Sequence, residues 1–186
     1  DTDFAFSVRA NGKKVYLQPA SVITHFEGKS HGTDENSGIK QNQLINQGKF
    51  RKKWAEVLDE QHFDNAQQLM QARERSFGKT TVLVIDHYVP HFDKDAGSRS
   101  TYQYLQLLVQ SGFNVKFLGD NFFKHEPYTS VLQNMGIEVL HGTYYQRNWE
   151  KWLRSDAGYV DVVYMMRPHI AGRYVDVINT LKPRPR

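Results

Sequence analysis

The chain contains no cysteine, which excludes disulfides and thiolate metal sites and makes a reducing compartment, the cytoplasm by default, the expected setting. It has no apolar run near the ~20 residues that cross a bilayer. The longest, Val82-Leu83-Val84-Ile85 and Val162-Val163-Tyr164-Met165-Met166, are far shorter. Asp1-Thr2-Asp3 offers neither the basic start nor the apolar stretch of a secretory signal. Internal repeats and low-complexity tracts are missing, and so is a full G-x-G-x-x-G dinucleotide fingerprint.

What is present suits one or two globular domains: 186 residues, 39% apolar and 24% charged, are enough to bury an ordinary core. The formal net charge of +4 raises the question of nucleic acid, which the distribution of basic residues answers. Lys and Arg are scattered. Their densest cluster, Lys49, Arg51, Lys52 and Lys53, shares an expected helix with Glu56, Asp59 and Glu60, the pattern of a solvated helix face, so no nucleic-acid partner is expected. A mildly basic surface also suits enzymes that handle nucleotide diphosphates or work beside anionic lipid.

From Thr80 onward, short β-branched runs alternate with amphipathic stretches, which predicts an α/β fold: a Rossmann-like parallel sheet with flanking helices. The expected strands are Thr81–Ile85, Val115–Leu118, Glu138–Leu140 and Asp161–Met165. Between the first two, Tyr102, Leu105, Leu108 and Val109 recur at helical spacing, with Ser98 or Ser100 as cap and Gly112 as terminator. Further helices are expected over Tyr128–Met135, Asn148–Ser155 and Arg173–Leu181, and another strand after Lys182-Pro183-Arg184-Pro185-Arg186. In such a sheet, ligands collect beyond the carboxyl ends of the strands.

The preceding residues read as a smaller α+β segment with a long helix. A short helix, Phe4–Ala10, ends at Asn11-Gly12; two strands, Lys14–Leu17 and Ser21–His25, flank Pro19; and a polar loop runs from Glu27 to Gly38. The long helix is expected over Ile39–Glu60, with Phe50, Trp54, Val57 and Leu58 on one buried stripe. Asn65–Arg75 reads as a further helix or linker and Ser76-Phe77-Gly78-Lys79 as the joint, dividing the chain into residues 1–78 and 79–186.

Asp1, Asp3, His25 and His31 are the residues of the first part with chemical potential. A carboxylate beside a substrate hydroxyl serves as general base, and an imidazole can complete an oxygen-rich divalent-metal site. Two carboxylates in a first helical turn equally serve as caps, and a histidine at a strand end as a packing residue. In the second part the loop Pro90-His91-Phe92-Asp93-Lys94-Asp95-Ala96-Gly97-Ser98-Arg99-Ser100 joins the first strand to the first helix. Gly97 lets backbone approach a ligand, and the amides of the helix start favour an anion. An ordinary turn capped by Asp95 or Ser98 is the other reading.

Both halves carry a resemblance. Asp1-Thr2-Asp3-Phe4-Ala5-Phe6-Ser7-Val8-Arg9, Gly12-Lys13-Lys14-Val15 and Pro19-Ala20-Ser21-Val22-Ile23-Thr24-His25-Phe26-Glu27-Gly28 resemble the end of a family 2 glycosyltransferase domain of GT-A type, and the likeness extends to about residue 60. It implies Asp1 as catalytic base, Asp3 as its neighbour or a cap, and His25 as ligand to a divalent metal, Mn or Mg, that holds the donor diphosphate. The D-x-D motif and nucleotide-binding strands of that family would lie upstream of Asp1. Val84-Ile85-Asp86-His87-Tyr88-Val89-Pro90, Gly97-Ser98-Arg99 and Tyr104-Leu105…Leu108…Gly112-Phe113-Asn114-Val115 resemble the amino-terminal half of a family 4-like glycosyltransferase of GT-B type. There the implied substrate contacts are Asp93, Gly97, Ser98 and Arg99 in the loop and Arg167 and His169 in Met166-Arg167-Pro168-His169. This sequence has Ala96-Gly97 in place of the family's commoner Gly-Gly.

The resemblance implies a fragment of a bacterial multidomain glycosyltransferase, inactive by itself, whose parent moves sugars from nucleotide-diphosphate donors to an oligosaccharide or lipid-linked acceptor in cell-surface polysaccharide assembly. Its implied location is the cytoplasm or the inner face of the membrane, with peripheral membrane association. The alternative is a non-catalytic acceptor-binding or scaffold module. A dinucleotide enzyme is a third reading, for which Asp120 would be the acidic residue after the second strand. With the upstream carboxylates missing, metal affinity is expected to be weak. Titration calorimetry with Mn²⁺ should give little heat, and a tight site lost in His25→Ala overturns that expectation.

Overall fold

The computed structural model describes residues 2–16, 21–24, 41–63, 72, 75–155 and 157–186. Asp1, His25, His31 and the 27–38 loop lie outside them, as does most of the expected 65–75 helix. The chain divides into two compact units, residues 1–58 and 59–186. The joint expected at Ser76–Lys79 lies inside the second unit, where Ser76 is buried and the rings of Phe63 and Phe77 meet edge to face at 5.2 Å.

In the first unit, α1 spans Thr2–Ala10 and α2 spans Gln41–Lys53, while α3 begins there and spans Ala55–Gln61. The single helix expected over 39–60 is interrupted at Trp54, although its N–H still bonds the Phe50 carbonyl at 3.0 Å. Phe6 is the buried anchor, packed on Phe50 at 5.0 Å and Trp54 at 5.4 Å between centroids. Phe50, Trp54, Val57 and Leu58, expected on one buried stripe, are only half-buried. Residues 14–16 and 21–24, the described parts of the two expected strands, are not in a ladder.

The second unit carries a four-stranded, wholly parallel sheet in the order β3-β2-β1-β4. The strands are β1 (Thr81–Asp86), β2 (Asn114–Gly119), β3 (Glu138–Leu140) and β4 (Val162–Met165). Between and after them come α4 (Ala96–Gln110), α5 (Tyr128–Asn134), α6 (Thr143–Ser155) and α7 (Pro168–Asn179). The Rossmann-like α/β class expected from the pattern is what the chain forms. Helix α6 begins five residues before the expected Asn148, which sits at its kink with non-helical φ −128° and ψ 16°. Helix α7 begins at Pro168, a residue suited to a first helical turn because its missing N–H would have no partner there.

Alternation along the strands sorts the core onto two faces. Val82 and Val84 of β1 join Val115, Phe117 and Val139 under Leu105 of α4 and Leu132 of α5. Leu83 and Ile85 face the other way, with Leu118 and Leu140, against Trp152 and Leu153 of α6 and Ile170, Tyr174 and Ile178 of α7. A central strand buried on both sides is why β1 reads as a continuous apolar run rather than an alternating one. Outside β4, Arg186 donates its N–H to the Asp161 carbonyl at 2.9 Å and accepts from the Val163 N–H at 3.0 Å. Among the described residues no helix is long and apolar enough to cross a membrane.

Leu105 is fully buried where α4 meets the sheet, so Leu105→Ala should cost about 2–5 kcal/mol through lost burial and the cavity left behind. Urea unfolding followed by circular dichroism measures it; a loss below about 1 kcal/mol would mean that α4 does not seal this face.

Candidate functional site

The carboxyl edge of the sheet is organised by Asp86, the last residue of β1. An acid ending a strand of buried apolar residues loses its hydration and needs donors. Asp86 has three. Its Oδ1 accepts the His87 N–H at 2.7 Å and Nε of Arg167 at 2.8 Å; its Oδ2 accepts the Thr101 hydroxyl at 2.7 Å. The Asp86 side chain is 3% exposed and that of Arg167 is 36% exposed. The bond to Asp86 holds the Arg167 guanidinium above its ordinary pKa, so it stays charged.

Arg167 lies two residues beyond β4 and precedes α7 in extended backbone. Its remaining nitrogens reach toward the start of α4: a Cβ on Gly97 would lie 3.0 Å from one Nη of Arg167 and 3.3 Å from Oδ1 of Asp95. Gly97 is therefore a place where a side chain would press on the guanidinium. Asp95 caps α4: its Oδ1 accepts the Ser98 N–H at 2.7 Å and its Oδ2 the Ser98 hydroxyl at 2.6 Å. These bonds hold the Asp95 carboxyl below its usual range, with the Tyr88 hydroxyl at 3.4 Å and the charge of Arg167 adding to the effect. Of the two open readings of this turn, the cap is Asp95, and Ser98 is the buried residue it satisfies.

The other expected contacts are distributed along the same edge. His169 is exposed, its ring edge-on to that of His87 at 5.8 Å. Asp93 turns to Tyr128, whose hydroxyl donates to it at 2.6 Å and keeps its carboxyl ionised below the usual range. Arg99 donates through Nε to the Phe92 carbonyl at 3.3 Å. Thus Gly97 and Arg167 gather with Asp86 and Asp95, His169 meets His87, Asp93 ties the loop to α5, and Arg99 ties the start of α4 to the loop. The β1 and β2 ends also approach closely: a Cβ on Gly119 would lie 3.2 Å from Cα of Tyr88, and the Asp120 N–H bonds the Asp86 carbonyl at 2.8 Å. Asp120 itself accepts from Arg173 and the Tyr174 hydroxyl, both at 2.8 Å, so the acid a dinucleotide reading would place on a ribose is already engaged.

In the first unit Asp3 accepts two bonds from Lys53, at 2.8 and 3.0 Å, and one from the Trp54 indole at 2.7 Å. The Lys53 bond, then that from Trp54, lowers its pKa. It acts there as a tie between α1 and α2. Its partners Asp1 and His25 lie outside the described residues, and among the described residues no group of three or more His, Asp or Glu could hold a metal. The described side chains thus do not fit a divalent metal, and no chemistry is routed through one. A cavity of about 210 Å³ lies at the opposite edge of the sheet, lined by residues that include Lys79, Tyr159 and Asp161. Asp161 accepts the Thr81 N–H there at 2.7 Å, a bond that joins the entries of β1 and β4.

No known family model matches the chain, and comparisons with curated proteins and with solved structures likewise find no match. The site must therefore be read from its own chemistry. Sequence reasoning singled out Arg167 but not its anchor, although an acid closing Val82–Ile85 signals a buried partner. Arg167→Ala should leave Asp86 short of a donor and cost about 2–3 kcal/mol, less than for a pair fully removed from water because Arg167 reaches solvent. Chemical denaturation of the variant checks this; unchanged stability would show that the pair contributes nothing to the fold.

Proposed function

We propose that the chain is part of a glycosyltransferase that moves sugars from nucleotide-diphosphate donors to an oligosaccharide or lipid-linked acceptor in cell-surface polysaccharide assembly. The observation that carries this reading is the charged Arg167 guanidinium held over Gly97 at the open start of α4, on the carboxyl edge of a parallel sheet. A diphosphate oxygen there would meet the Nη groups of Arg167 and the first amides of the helix, both suited to an anion. The rings of His87 and His169, which follow Asp86 and Arg167 closely in sequence, meet on the same edge of the sheet. The sequence resemblance to both glycosyltransferase types supports the same assignment. Under this reading the described residues bind and orient substrate, and turnover belongs to the parent enzyme.

One observation favours the alternative of a non-catalytic acceptor-binding module: the Asp95 carboxylate occupies the Ser98 amide and sets a negative charge beside the helix start. A diphosphate has to bind through Arg167 and the earlier amides, or displace Asp95. Titration with uridine diphosphate and with short neutral oligosaccharides, followed by amide chemical shifts, separates the two. The diphosphate should move the amides of 95–99 and 167–169, and Gly97→Val, which forces a branched side chain into the guanidinium, should weaken it at least tenfold. Response to the neutral sugars alone, unchanged by Gly97→Val, would replace the donor reading with the acceptor one.

A further inference from the structure

Beside this site, two loops joined by the Asn121 N–H to His87 carbonyl bond at 3.2 Å also meet through a pair of imidazoles. The β1–α4 loop, residues 87–95, contributes His91; the β2–α5 connection, residues 120–127, contributes His125. Their rings pack edge to face at 4.9 Å, and His91 stacks on Tyr128 of α5 at 4.4 Å. Tyr88 lies over both, 5.2 Å from His91 and 6.4 Å from His125.

His91 is held in its neutral form by what surrounds it, and His125 is fixed by a hydrogen bond. Asn121 accepts the Phe123 N–H through its Oδ1 at 3.1 Å, which turns its Nδ2 donor toward Nε2 of His125 at 3.0 Å. That ring nitrogen is the acceptor of the bond. Nε2 of His91 is buried with no hydrogen-bond partner, so a proton added there would meet no acceptor. The neighbouring charges do not reverse this. Asp93 is engaged with Tyr128 and Asp95 with Ser98, Lys94 stands on the same loop, and Lys124 and Glu126 of the connection pair with each other at 2.8 Å. Burial, then His125 and Lys94, outweigh Asp95 and Asp93 and lower the pKa of His91 below its ordinary 6.5.

We propose that His91, packed on His125, forms an acid-released latch between the β1–α4 loop and the β2–α5 connection, closed while the His91 ring is neutral. The closed arrangement binds fewer protons than the open one, so it is fully stable above the ordinary imidazole range and loses stability as pH falls through it. The latched loop ends at Asp95 and Gly97. If the diphosphate reading above is right, acid therefore dismantles the anion site from its loop side.

The experiment is an amide and imidazole NMR titration from about pH 7.5 to about pH 5 on the whole chain, with His91→Phe and His125→Gln as non-titrating variants that keep a ring or an acceptor in place. The wild type should show one concerted step in residues 87–95 and 120–126, with its midpoint below 6.5, and both variants should lose it. At the higher pH the nitrogen shift of His125 Nε2 should be that of an unprotonated acceptor. Uridine diphosphate should bind wild type and His91→Phe alike at neutral pH, and bind the wild type several-fold more weakly than the variant in acid. Loops unmoved in the wild type, a step that persists in both variants, or a protonated His125 Nε2 at the higher pH overturns the latch. Failure of the diphosphate to bind either protein at any pH overturns the donor reading instead, while the amide step still decides the latch.

Discussion

The second unit depends on satisfying one buried carboxylate. Asp86 ends the central strand with its charge out of water, a position tolerable only with donors on both oxygens. Its three donors come from the β1–α4 loop, from α4 and from just beyond β4. Meeting the needs of one acid thus fixes the loop exit, the seat of the first helix and the direction of Arg167 together. Because Arg167 is held through Nε, its Nη groups are left to face the start of α4. One pair of side chains thus meets a structural demand and leaves a charged group at the carboxyl edge of the sheet.

Periodicity made the sheet legible, and burial on both faces explains why. Val82–Ile85 reads as a strand from its continuous apolar run, and β3 falls on Glu138–Leu140 as its pattern predicts. Boundaries were less legible where a polar residue decides them. Asp95, Ser98 and Ser100 all look like caps, and it is Asp95 that caps α4, while Pro168 opens α7 well before the apolar stripe at Tyr174, Val177 and Ile178. In the first unit the Trp54 interruption leaves no trace in the pattern of half-buried residues, since its helical hydrogen bonds continue across it.

The candidate site was legible in part, because chemistry-bearing residues can be picked out singly but their partners cannot. Gly97 stood out from its place in the loop before the first helix, and Arg167 and His169 through the resemblance. Asp86, His87 and Asp95 complete the group only through contacts spanning up to 81 residues of sequence. Asp3 shows the reverse: its acidity suggested chemistry, while its bonds to Lys53 and Trp54, 50 and 51 residues away, use it to join helices. The histidines at 91 and 125 were invisible as a pair for the same reason.

The bonds of Arg186 have a consequence for solubility. The outer side of β4 is a row of peptide groups of the kind that recruits strands from other molecules. Arg186 covers that row at Asp161 and Val163, and the segment leading to it contains Pro183 and Pro185, which have no N–H to offer a neighbour. With Tyr164 exposed on the same strand, this short proline-bearing cover works as a guard against edge-to-edge aggregation, keeping an open sheet from serving as a template for its own copies.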